Sequence, residues 1–200
     1  MMHCAKTVDL TTYAPINNQR DFFLDTNVLY WYTYPRVHII SNPYTKQQSA
    51  PYYDFVDTLV SNGNPLYTSI YNITEMLHVI EKNEFSLYKI QHPELKWTIK
   101  DFRKISNERD QMKRNLSTTL SNVKNICTIL DFNFTYDSLE QFVLEFDNHR
   151  CDTFDYAILK NCIKENKLNV ISDDSDFSTM EQLHLYTANT TVLAKNNVSV

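Results

Sequence analysis

The run Phe-Phe-Leu-Asp-Thr-Asn-Val-Leu-Tyr-Trp-Tyr at residues 22–32 sets one acid and one amide inside an otherwise aliphatic and aromatic stretch. A short apolar run bounded by polar residues reads as a buried strand. Such a strand carries an ionised carboxylate only where something pairs with it. Asp25 therefore either ends the strand and caps the following turn or serves as a ligand to a cation whose other ligands come from elsewhere in the chain.

Other strands follow at intervals. Residues 66–69 read as a second strand, 125–134 as a third, 168–171 as a fourth and 183–186 as a last one. Between them lie helical patterns. Phe55, Val56, Leu59 and Val60 have helical spacing from about Tyr52, after loops marked by Tyr34-Pro35 and Asn42-Pro43 and a polar connector at 46–50. Asn62-Gly63-Asn64-Pro65 ends that helix. Ser69 or Asn72 caps a helix with the stripe Ile73, Met76, Leu77 and Ile80, and Glu75 lies near its start. Apolar residues recur from 94 to 123 as one long helix or a helical pair. Asp137 and Glu140 form a capping-box-like pair for a helix with the apolar face Leu139, Phe142, Val143 and Phe146, and a further helix begins at or just after Asp152. Strands alternating with helices predict an α/β fold with a central, mostly parallel sheet, whose ligands gather at the carboxyl ends of the strands.

Composition narrows the chemistry. The chain of 200 residues, 42% hydrophobic and 22% charged with net charge −5, reads as one domain over 21–200 behind an N-terminal extension at 1–20, with loose ends up to about residue 18 and after about 192. No apolar run is long enough to span a bilayer and the first twenty residues lack the apolar centre of a secretory signal, so a cytoplasmic protein is expected. Cys4, Cys127, Cys151 and Cys162 form no Cys-x-x-Cys pair, and the histidines form no His-Glu-x-x-His pair. The single Gly63 excludes Walker, dinucleotide-binding and nucleophile-elbow loops. Any phosphate chemistry must then be run by side chains and metal ions.

Four acids share a context: Asp25 and Asp174 at or just past strands, Glu75 and Asp155 in helices that adjoin strands. Carboxylates brought to one sheet edge repel each other and take up protons unless a cation neutralises them. All-oxygen donors select Mg²⁺ or Mn²⁺, one ion or two, and Mg²⁺ prefers phosphate oxygens and water for its remaining positions. Between residues 82 and 114 there are nine Lys or Arg against five Asp or Glu. That run is either a solvated helix face or a basic arm for a polyanion, with Lys96, Lys100, Arg103 and Lys104 as the candidate contacts.

In these positions the chain resembles the PIN-domain ribonucleases. Leu24-Asp25-Thr26-Asn27-Val28-Leu29 looks like the family's first motif, and Thr68-Ser69 leading to Glu75 looks like its second. Phe154-Asp155-Tyr156-Ala157-Ile158 looks like the third. Val170-Ile171-Ser172-Asp173-Asp174-Ser175-Asp176-Phe177 looks like the fourth, where the family commonly has Thr or Ser, a small polar residue, Asp, then Phe three positions later. The resemblance implies a PIN-like three-layer fold with an enlarged helical insertion at about 85–123. It also implies a metal-dependent endoribonuclease that binds its metal through Asp25, Glu75, Asp155 and Asp174, with Asn27 bracing Asp25 or a metal-bound water and Asp173 in support. Asp152 caps its helix or, one turn before Asp155, faces the pocket; Asp176 serves a second ion or caps the next turn. RNA would be the substrate, with an antitoxin-type protein and a second copy of the chain as partners. Two other readings stand beside it. One is a catalytically inactive PIN-like module that binds RNA or protein. The other is a haloacid-dehalogenase-like phosphatase, which needs an Asp where this chain has Asn27.

Overall fold

A computed structural model describes residues 5–14, 20–40, 42–131, 135–145 and 150–196. Nine helices and six strands are defined among them. The strands are β1 (Lys6–Asp9), β2 (Phe22–Leu24), β3 (Leu66–Ser69), β4 (Thr128–Leu130), β5 (Asn169–Ile171) and β6 (His184–Thr187). They form one sheet in the order β1-β6-β5-β2-β3-β4, and every pairing is parallel.

Helices cover both faces, which is why the central strands read as unbroken apolar runs. Alternation along each strand shows the two faces directly. Phe22, Leu24, Ile171 and Tyr186 pack into one core with residues of α1 (Thr26–Thr33), α3 (Pro43–Ser61), α4 (Ile70–Gln91) and α6 (Ser106–Ile126). Phe23, Val170 and Leu185 pack into a second core with α7 (Tyr136–Glu145), α8 (Thr153–Lys164) and α9 (Thr190–Asn196). Two short helices, α2 (Val37–Ile40) and α5 (Ile99–Phe102), complete the set. The result is an α/β three-layer fold. Among the described residues no helix is long and apolar enough to cross a membrane.

Several expectations are corrected. The strand at residues 22–32 stops at Leu24, and Asp25 becomes the N-cap position of α1. Thr26, Val28, Leu29, Tyr30, Trp31 and Thr33 are all buried, so α1 shows no polar face by which its helical period could be told from a buried strand. The polar connector at 46–50 is instead the early part of α3, mostly solvent-facing. That helix starts at Asn42-Pro43, where the Asn42 side chain accepts from the Thr45 N–H at 2.8 Å and Pro43 takes a first-turn position that needs no N–H partner.

The segment at 94–123 takes the second of its two expected forms, a helical pair: α5, one turn with a Thr98–Asp101 capping box, and α6. The third strand keeps only Thr128–Leu130, because α6 runs on to Ile126; residues 132–134 lie outside the described set. Helix α7 begins one residue earlier than expected, so Thr135 and Ser138 exchange the capping bonds in place of Asp137 and Glu140. Of its expected apolar face Phe142 is buried, Leu139 and Val143 are exposed, and Phe146 lies outside the described residues. Lys6–Asp9, within the segment expected to be loose, pairs with β6 as an edge strand. Cys4 also lies outside the described residues; Cys127, Cys151 and Cys162 are free and buried.

Candidate active site

From β2 the chain moves outward to β3 and β4, then returns to the other side of β2 as β5 and moves out again to β6. The direction of winding therefore switches between β2 and β5. A crevice opens above the strand ends at such a point, since the connections leave toward opposite faces. Leu24 pairs with Ile171, so Asp25 and Ser172 leave the sheet side by side at this switch. The Asp25 N–H donates to the Ile171 carbonyl at 3.1 Å.

Asp25 is 4% exposed. Its carboxylate lies near the Thr26 N–H at the start of α1 without forming a capping hydrogen bond, and its firm side-chain partners come from β5 and α4. The Ser172 hydroxyl donates to Oδ2 at 2.6 Å, and the Asn72 amide donates to Oδ1 at 3.2 Å. Asn72 comes from the first turn of α4. Ser69 at the N-cap receives the Asn72 N–H, and the Asn72 side chain is then free to reach Asp25 and the Thr26 hydroxyl. Thr26 in turn donates to Glu75 Oε2 at 2.6 Å. Burial pushes the Asp25 carboxyl up to about 7, against the pull of the Ser172 hydroxyl and the Thr26 N–H, and the charges of Glu75 and Asp174 add to the rise.

Asp155 reaches the same crevice from α8. Asp152 caps that helix, accepting from the N–H groups of Phe154 at 2.8 Å and Asp155 at 3.0 Å, so the capping reading holds for it. Burial raises the Asp155 carboxyl to about 8, followed by the charges of Asp152, Asp25, Asp174 and Asp176. Asp174 follows β5 with its N–H on the Ser172 hydroxyl at 3.0 Å, and the Asp176 N–H donates to Asp174 Oδ1 at 2.9 Å. Asp176 opens the 3₁₀ turn Asp176–Thr179. Its carboxyl is raised by burial and by its neighbours Asp174 and Asp152.

Asp25 thus feels the charges of Glu75 and Asp174, and Asp155 those of Asp152, Asp25, Asp174 and Asp176, around the carboxyl ends of β2 and β5. Glu75 lies in the second turn of α4 and is exposed. Asp173 turns away from the crevice. It accepts from the Tyr52 hydroxyl at 2.7 Å and from the Gln48 amide, both on α3, and so anchors the loop that carries Asp174. Asn27 makes no side-chain hydrogen bond among the described residues; the direct bracing of Asp25 comes from Asn72 and Ser172. Neither residue is acidic, so a search for charges passes over both. A Ser ending a strand two residues before an Asp, and an Asn one turn before a Glu, were the available signals.

Of the basic candidates, Arg103 makes a paired contact with Glu81, its Nε 2.7 Å from Oε1, and Lys104 reaches Asp101 at 3.1 Å. Lys96 and Lys100 are exposed and make no ion pair among the described residues.

Among the described residues, no three His, Cys, Asp or Glu side chains stand close enough to form a metal's ligand set by themselves. The donor chemistry still suits a hard divalent ion: the donors are all oxygen, and burial together with neighbouring acids pushes the Asp25 and Asp155 carboxyls well above the usual carboxylate range. Mg²⁺ keeps several waters and needs only one or two direct carboxylates, which fits acids spread around a crevice.

No family model matches the chain, and no curated protein matches it. Among solved structures it is similar to a chain in the crystal structure of VapBC2 from Rickettsia felis bound to a DNA fragment from their promoter. The identity is 20%, the match covers 84% of this chain and 98% of that one, and the TM-score is 0.49.

Proposed function

We propose that the chain is a PIN-type ribonuclease that hydrolyses RNA phosphodiester bonds in the crevice between β2 and β5, using one or two Mg²⁺ or Mn²⁺ ions. The supporting observation is the placement of Asp25. It is a buried carboxylate at the switch point of a parallel sheet, held by Ser172 and Asn72, and it faces the charges of Glu75 and Asp174 and acts on Asp155.

Asp25, Asp155, Asp174 and Glu75 would hold the ions. A bound divalent ion supplies an activated water near neutral pH and stabilises the leaving oxygen. The protein residues do the positioning. Ser172 fixes Oδ2 of Asp25 and also receives the Asp174 N–H, so one hydroxyl sets the spacing of two acids from neighbouring strands. Asn72 fixes Oδ1 and, through Thr26, ties Glu75 to the same cluster. Because the Asp25 and Asp155 carboxyls are raised, a cation would compete with protons for them, and ion binding would strengthen as pH rises.

Under this reading RNA is the substrate, and an antitoxin-type protein and a second copy of the chain are the expected partners. Native mass spectrometry of the purified protein checks the oligomeric state. The central test is RNA cleavage with Mg²⁺ or Mn²⁺. Activity should vanish with chelator and in Asp25→Asn and Asp174→Asn while circular dichroism stays unchanged. Cleavage that persists in both variants overturns the proposal. RNA binding without cleavage under any metal would instead identify a non-catalytic PIN-like module.

A further inference from the structure

A polar cleft of about 540 Å³ lies between α4 and α6, away from the acidic crevice. Its floor is a continuous hydrogen-bonded chain. Arg114 donates to Gln111 at 2.8 Å, Gln111 to Asn115 at 2.9 Å, and Asn115 to Glu84 at 2.9 Å. Glu84 is 7% exposed, and it also receives the Arg36 guanidinium at 2.7 and 2.8 Å and the Tyr34 hydroxyl. Two guanidinium groups are thereby braced from behind at either side of the cleft, each with N–H groups left over. Among the described residues the side chains of Gln91, Asn107 and Glu108, which also line it, make no hydrogen bond or ion pair.

The free groups decide the class of ligand. A bare phosphate needs donors only and would be repelled by Glu84 and Glu108. A greasy ligand would find little beyond Leu87 and Tyr88. Amides that both donate and accept, a carboxylate that accepts and guanidinium planes that stack match the edge and face of a nucleobase, which single-stranded RNA presents when a base leaves the stack. The volume falls in the ordinary range for small-ligand sites, roughly 300–1,000 Å³. Glu84 and Glu75 lie on the same helix, nine residues apart, which is about 14 Å along its axis and about half a turn round it, so a strand that reaches both places passes around α4.

We propose that this cleft receives one unstacked nucleobase of an RNA strand whose backbone runs to the acidic crevice, and so sets sequence preference. The proposal rests on the reading of RNA as the substrate. Its test is binding rather than cleavage: fluorescence anisotropy of short labelled oligo(A), oligo(C), oligo(G) and oligo(U) with the full chain in chelator.

One of the four should bind at least about tenfold more tightly than the weakest, roughly what one specific base contact supplies. Arg114→Ala, Glu108→Gln and Asn107→Ala, none of them buried, should each shrink that ratio toward one, with thermal melting unchanged. Equal binding of all four by the wild type, or a ratio that survives all three variants, overturns the cleft proposal even where Asp25→Asn abolishes cleavage. A ratio lost in the variants upholds it even where no cleavage is found. No RNA binding at all overturns the cleft proposal, and the ribonuclease reading then stands or falls with the metal-loaded cleavage assay.

Discussion

Replacing Asp25 by Asn should make the metal-free protein more stable near neutral pH and leave it little changed in acid. An ordinary Asp has a pKa of 3.8, and burial raises Asp25 to about 7. Between those values the folded state holds a proton that the unfolded chain has released. The unfolded state therefore binds fewer protons, and stability falls as pH rises through the window from about 4 to about 7. The full difference corresponds to roughly 4 kcal/mol, a ceiling because local opening lets water reach the charge. Asn keeps an acceptor for the Ser172 or Asn72 donor and carries no charge, so it escapes the loss.

Urea titrations in chelator test this. At a slope of about 2 kcal/mol/M, the variant's midpoint should exceed the wild type's by 1–2 M at about pH 8 and by little at about pH 4. Added Mg²⁺ should narrow the gap by stabilising the wild type alone. A gap that is constant across pH, or a variant that is less stable throughout, refutes the account of Asp25 as a buried charge awaiting a cation.

Asp173→Asn should retain cleavage while Asp174→Asn loses it, because Asp173 faces Tyr52 and Gln48; equal loss in both contradicts that division. Tyr52→Phe removes a hydroxyl that bonds Asp173, Thr187 and the Ala188 N–H, and should cost about 1–3 kcal/mol in urea unfolding without changing metal affinity by titration calorimetry. Glu84→Ala leaves Arg36, Asn115 and Tyr34 without their shared acceptor and should cost about 3 kcal/mol, toward the lower end for a broken buried pair because Arg36 is partly exposed. Lys96→Ala with Lys100→Ala should flatten the salt dependence of RNA binding by about 1.4 in the logarithmic slope if each meets a phosphate; an unchanged slope makes them a solvated face.

What the sequence disclosed follows from which residues carry a one-dimensional signal. Strand β3 has the bounds that its apolar run and the following cap imply, and β5 and β6 differ by a residue at their ends. Strand β1 escaped because Lys6–Asp9 lies at the sheet edge with one exposed and three half-buried residues, so nothing alternates strongly. Helix α1 escaped for the opposite reason: nearly all of it is buried. The acids were legible because a charge in an apolar context is anomalous wherever it falls. Ser172 was legible as a motif position and Asn72 as a cap candidate, but not their hold on Asp25, which shows only when two strands and a helix are placed together.

That placement explains why Asp25, rather than another acid, occupies the centre. The alternation of Phe22, Phe23 and Leu24 between the two cores fixes the direction in which residue 25 leaves the sheet, and a one-residue slip would reverse it. At that point Asp25 meets one group from each layer: Asn72 from α4 on one face, Ser172 from the neighbouring strand, and the charge of Asp155 from α8 on the other face. Each layer alone is ordinary. The capped start of α4 serves its helix, the Asp152 cap serves α8, and the β2–β5 pairing serves the sheet. Only their meeting above the switch point gathers four carboxylates with no Lys or Arg ion pair among the described residues. The electrostatic cost is therefore built into the topology, and a cation bound there would remove it.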